Sequence, residues 1–105
     1  MTLTEKDNGR TVEAEGDEIE IVLGENPTTG FRWSVVDLDP SVRVVEDTYR
    51  LEEESGPGAG ALHLIRLAFP GPGSYDVALR LWRDWEGEGS VLDRFEVTVE
   101  AGEAG

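Results

Sequence analysis

Apolar and polar residues alternate with a period of two through most of this chain, and no stretch sustains a helical period. Ile19, Ile21 and Leu23 alternate with Glu18, Glu20 and Val22; Phe31, Trp33 and Val35 with Arg32 and Ser34; Ile65, Leu67 and Phe69 with Arg66 and Ala68. Tyr75, Val77, Leu79 and Leu81 alternate with Asp76, Ala78, Arg80 and Trp82, and Phe95, Val97 and Val99 with Arg94, Glu96 and Thr98. Successive side chains on a strand point to opposite faces, so each run has one face to bury and needs a second sheet to bury it against. Val42, Val44 and Val45 lie in a further β-branched run ending near Tyr49, and a short run covers Arg10 to Ala14. That brings the count to about seven strands.

Turn residues separate the runs: Gly16-Asp17, Asp39-Pro40 and Pro70-Gly71-Pro72-Gly73. Asp37 to Val42 has room for one short turn. Many short strands between such breaks predict an all-β fold, an immunoglobulin-like antiparallel β-sandwich of about seven strands. A chain of 105 residues is expected to form a single domain over 1–105, with 1–8 and 101–105 frayed. Trp33 reads as the core tryptophan. Phe31 reads as the first inward residue of its strand, and Trp82 as surface or edge packing.

In an up-and-down path, alternate connections emerge at one end. Counted from the strand at Arg10, the connections after the second, fourth and sixth strands share an end. Asn26-Pro27-Thr28-Thr29-Gly30-Phe31 occupies the first of them. Pro27 fixes one φ and Gly30 permits φ > 0, so this loop is stiff, and stiff loops lose little entropy on docking. Gly58-Ala59-Gly60-Ala61 occupies the second and Arg83-Asp84-Trp85 the third.

Composition narrows the function classes. The formal net charge is −14, which argues against nucleic acid and anionic membrane as partners, because phosphate binding needs clustered Lys and Arg. No run of about 18 apolar residues is present to span a membrane. With no cysteine, there is no disulfide, thiolate nucleophile or cysteine-ligated metal. Met1 to Lys6 has no apolar signal-type core. The chain is thus expected to be cytoplasmic as written, or secreted or periplasmic if a signal has been removed.

Catalytic chemistry has little support. His63 is the only histidine, it sits at the start of a strand, and no serine occupies a glycine-flanked elbow. Zinc would need several His or Cys ligands. Asp47 and Glu52 to Glu54 lack the ordered ligand alternation of a calcium loop. Gly56-Pro57-Gly58-Ala59-Gly60 lacks the Lys-Ser/Thr end of a phosphate loop. The expectation is a protein that is not an enzyme and that holds no cofactor or metal.

The three loops, in this order and spacing, resemble those of the chagasin-type inhibitors of papain-family cysteine peptidases. That family carries an N-P-T-T-G-F-like loop, a glycine-rich loop and an R-P-W loop. The resemblance runs from about Asn26 to Val99. The first motif is matched residue for residue and is specific, whereas the glycine-rich one is weak alone. The third departs from the family, because Asp84 stands where proline is usual. The resemblance implies a reversible, competitive inhibitor, expected as a monomer, whose partner is the active-site cleft of a papain-like peptidase. It implies that Thr28 reaches the catalytic Cys-His pair, that Gly58 to Ala61 lie extended along the substrate side, and that Trp85 packs on the primed side. Thr29 would support the loop or contact the cleft wall, Asn26 would anchor it, and Arg83 would hold the third loop or pair with a carboxylate. The alternative is a non-inhibitory immunoglobulin-like binding or assembly module that retains the loop sequences.

Overall fold

The computed structural model describes residues 1–14, 16–25, 29–51 and 61–102. Eight strands form two four-stranded sheets. They are β1 (Thr2–Leu3), β2 (Thr11–Ala14), β3 (Glu18–Glu25), β4 (Arg32–Leu38), β5 (Arg43–Leu51), β6 (Ala61–Ala68), β7 (Gly73–Trp82) and β8 (Asp93–Ala101). One sheet has the order β1-β3-β6-β5, the other β2-β8-β7-β4. Among the described residues no helix is long and apolar enough to cross a membrane.

The period-two rows meet between the sheets. Leu3, Ile19, Ile21, Leu23, Ile65 and Leu67 from one sheet pack with Trp33, Val77, Leu79, Phe95, Val97 and Val99 from the other. At about 25 cal/mol per Å² of apolar area removed from water, this core is the main source of stability. The outer faces carry the charge. On one of them Arg66 lies 3.2 Å from both Glu20 and Glu46, on the strands either side of it. Opposite charges directly across a ladder offset part of the like-charge repulsion that an acidic chain accumulates.

Two pairings depart from the antiparallel expectation: β1 runs parallel to β3, and β2 parallel to β8. Both arise from the N-terminal segment, which is not frayed as expected. Leu3 is 2% exposed and belongs to the core. A short 3₁₀ turn, Glu5–Asp7, then carries the chain from the edge of one sheet to the edge of the other. Glu5 Oε1 accepts the Gly24 N–H at 2.7 Å, and the Asn8 side chain bonds both Arg94 O and Glu96 N. At the other end Ala101 is buried and paired with Gly73, so β8 continues into the tail. Residues 103–105 lie outside the described residues.

The opposite edges of the sheets, β4 and β5, both show a register shift, between Val35 and Asp37 and between Val44 and Glu46. Bulges of this kind twist an open edge away from pairing with another chain. The shift also places Val44 and Val45 side by side at the surface, while Val42 stays in the core.

The turn expected near Asp37–Val42 closes on Asp39. Its carboxylate accepts the Ser41 hydroxyl at 2.6 Å and the Ser41 N–H at 2.9 Å. These two bonds, the hydroxyl's first, hold the Asp39 carboxyl below its ordinary range. The carboxyl therefore keeps its charge to lower pH when folded than when unfolded. Its contribution to stability is complete above the unfolded value and is lost as pH falls through the folded one. In Ser41→Ala the Asp39 carboxyl is expected to titrate at higher pH, read by carbon-detected NMR of the side chain. Leu3→Ala is expected to cost about 2 kcal/mol or more in denaturant unfolding; a frayed N-terminus would show no loss.

Candidate functional site

Strand register gathers three connections at one end of the sandwich. In the first sheet Glu25 and Leu51 both pair with Ala61, so the ends of β3 and β5 and the start of β6 lie abreast. In the second, Arg32 pairs with Trp82 and Leu81 with Asp93, which aligns the start of β4, the end of β7 and the start of β8. The connections β3–β4, β5–β6 and β7–β8 therefore leave the same end.

A polar clamp closes the sheets beneath the first connection. Glu25 and His63 continue the inward rows of Ile19-Ile21-Leu23 and Ile65-Leu67, and both are buried, at 5% and 3% exposure. Glu25 Oε1 accepts the Trp33 backbone N–H, and the Trp33 indole N–H donates to Gly24 O at 2.9 Å. Glu25, just before loop 26–31, and Trp33, two residues past its end, are thus tied across the sandwich. His63 Nδ1 lies 3.1 Å from the same Glu25 oxygen, and His63 Nε2 contacts Asp47. With carboxylates against both ring nitrogens, the ring has none left over to activate a nucleophile.

Above the clamp the first and third connections are joined by Arg83. Its Nε and Nη2 donate to Thr29 O at 3.1 and 2.8 Å, and its Nη1 lies 3.3 Å from Glu86. The guanidinium carbon stands 4.3 Å from the centroid of the Phe31 ring. Both roles expected of Arg83, holding a loop and pairing with a carboxylate, are therefore present as contacts. Arg83 is extended, at φ −98° and ψ 105°, and the 3₁₀ segment Asp84–Ser90 follows it. The Ser90 hydroxyl accepts the Arg83 N–H at 3.1 Å and faces the carbonyls of Arg83 and Gly87 at 2.8 and 2.7 Å. One serine side chain thus closes the whole connection on itself.

Trp85 is 68% exposed, the most exposed of the large apolar side chains described. Its ring still has a seat. Gly30 has φ +79°, and a Cβ built there would stand 3.2 Å from Trp85 Cη2. The glycine thus serves twice: it allows the left-handed turn and leaves room for the indole.

Among the expected site residues, Thr29, Gly30, Phe31, Arg83 and Trp85 come together here. Asn26, Pro27 and Thr28 of the first loop and Gly58, Ala59 and Gly60 of the second lie outside the described residues. Two expectations are corrected. Phe31 precedes β4 and is half-buried under Arg83, outside the core, because the inward row of β4 starts with Trp33. Ala61 is the first residue of β6 and 2% exposed, so it offers no surface to a partner.

Sequence reasoning missed Glu25, which reads as an ordinary acid in an acidic chain, although its place two residues after Leu23 marks it as inward. It also missed Leu92, which is 64% exposed at the foot of the third connection. The signal there was an apolar residue just before a strand and outside its alternation. Among the described residues no group of three or more His, Asp or Glu is placed to hold a metal.

Comparison with known proteins agrees with this geometry. Residues 13–99 match the model of the chagasin family peptidase inhibitor I42. Chagasin from Trypanosoma cruzi is 31% identical over 105 aligned residues, covering 94% of this chain and 96% of chagasin. The crystal structure of the cysteine protease inhibitor EhICP2 from Entamoeba histolytica superposes with a TM-score of 0.84 at 28% identity, covering 95% of this chain and 93% of that one. PbICP-C, solved in complex with falcipain-2, shares the fold at a TM-score of 0.62 and 13% identity, over 95% of this chain and 98% of its own. This chain belongs to the chagasin family of peptidase inhibitors.

Proposed function

We propose that this protein inhibits papain-family cysteine peptidases by occluding the active-site cleft with the three connections at one end of its sandwich. Family membership carries the target class. The observation that supports the mode is the shared seat of two connections, with Trp85 lying on Gly30 and Arg83 bonded to Thr29. Parts that are already joined in the free protein lose less entropy when they dock together. That PbICP-C is found in complex with falcipain-2 is consistent with the same use of the fold.

In this reading Thr28 meets the catalytic Cys-His pair, where a hydroxyl can both donate and accept. Gly58 to Gly60 lie along the cleft, since small residues let backbone approach backbone. Trp85 supplies rigid apolar area on the far side of the catalytic pair. Inhibition is by occupancy: no peptide bond is presented for attack, so binding is reversible and competitive with substrate.

Titration into papain and a cathepsin L-type enzyme, followed with a fluorogenic peptide, tests this. Stoichiometric inhibition is expected, with Trp85→Ala and Thr28→Ala each weakening it by about 30-fold or more while the protein stays folded. No inhibition by folded wild type would point instead to a non-inhibitory binding module.

The departure at Asp84 has its own prediction. Asp84 opens a 3₁₀ segment and follows an extended residue, a setting that accepts proline. Asp84→Pro is therefore expected to stabilise the fold by about 0.4–1 kcal/mol in denaturant unfolding and to leave inhibition equal or tighter. A loss of stability would show that the backbone here resists the family's residue.

A further inference from the structure

We propose that Glu25 and His63 are positioning residues of the inhibitory edge, and that the charge on the His63 ring governs how firmly the end of β3 is held against β6 and Trp33, where the first loop begins. This rests on the inhibitor reading above. Glu25 is the last residue of β3, so the loop 26–31 begins at the next residue. Its Oε1 receives both the Trp33 N–H and the His63 Nδ1 contact, while Oε2 is buried with no partner among the described residues. No arginine or lysine among them pairs with Glu25, which leaves His63 as its counter-charge.

Burial alone does not call for this pair. Apolar residues at both positions would simply extend the rows on β3 and β6, and a buried ion pair adds little stability over such a replacement. What the pair does add is geometry. It fixes the end of β3 against β6 and, through Trp33, against β4, on both sides of the first loop.

The hold depends on protons. The ring can donate to Glu25 and Asp47 together only when both nitrogens carry hydrogen; with one proton gone, a lone pair faces a carboxylate. The groups around the ring come from four strands. β3 gives Glu25, β5 gives Asp47 and Tyr49, and β4 gives Arg32, whose guanidinium lies 4.5 Å over the Tyr49 ring. β7 adds the neutral indole of Trp82 to a cleft about 290 Å³ in volume that His63 and Asp47 also line. The end of β3 is thus held most firmly with the ring charged, and inhibition weakens as the ring loses that proton.

The test has two arms. In free wild-type protein, NMR follows the His63 ring nitrogens and the backbone amides of 26–31, omitting Pro27, as pH is raised stepwise. In parallel, Ki for papain is measured for wild type, Glu25→Gln and His63→Gln at each pH, each variant cancelling the enzyme's own titration. Loop amides should shift in step with the ring, and Ki should rise with pH for wild type alone. Each variant should be about tenfold weaker than wild type at the acid end. Loop amides indifferent to the ring, or variants with wild-type Ki and only a lower Tm, would reduce the pair to packing. The first arm needs no variant to fold and no enzyme. Coupled amides in a wild type that inhibits nothing would uphold the coupling and discard the inhibitor reading.

Discussion

The bond from the Trp33 backbone to the Glu25 carboxylate, with the return bond from the Trp33 indole to Gly24 O, is the constraint on which the end of the sandwich that gathers the three connections depends. A sandwich is held by apolar burial, which is non-directional and lets its layers adjust against each other. Directional bonds between the sheets take that freedom away at one place. Here the place is the foot of the first connection, so the loop above starts and ends at fixed points. Everything further out depends on that base: Thr29 O receives Arg83, Gly30 seats Trp85, and Ser90 closes the connection that carries the tryptophan.

The layered core was legible in the sequence because period-two alternation is a direct record of burial. Ile19-Ile21-Leu23 and Phe95-Val97-Val99 needed no further information. The shared end of the three connections followed from counting strands, and the family resemblance at Asn26–Phe31 made that count meaningful. What could not be read depended on long-range partners. Nothing local marks Thr2–Leu3 as a strand; Leu3 is buried because β3 and the second sheet are there to cover it. Phe31 was misassigned because alternation gives the phase of a strand but not where its buried stretch begins. Glu25 is marked as inward only by its phase after Leu23, since its chemistry matches that of the surface acids around it.

An acidic chain has to place its charges where they do least harm. With a formal net charge of −14, several of the arginines sit where acids or a ring can share them. Arg66 serves Glu20 and Glu46 across the face of one sheet, Arg80 serves Glu88, and Arg83 divides its guanidinium between a carbonyl, a carboxylate and an aromatic face. The planar five-donor head of arginine suits such sharing better than an ammonium does. The third connection consequently presents an exposed Trp85 while its own Arg83 is bonded to Thr29 O and Glu86.

The parallel pairing of β2 with β8 also bears on how the chain is made. β2 is made well before its partner β8, with β3 to β7 between them in the chain. The second sheet therefore cannot be completed during synthesis. Thr11 to Ala14 wait as an unpaired edge until residues 98–101 emerge. The first sheet has most of its strands earlier, with β3, β5 and β6 all made before β7 begins. Joining ends this far apart in the chain carries a high loop-closure cost, which makes the last ladder a slow step. The end proposed to meet a peptidase is built from both sheets, so on that proposal the protein becomes competent to bind only once β8 is in place.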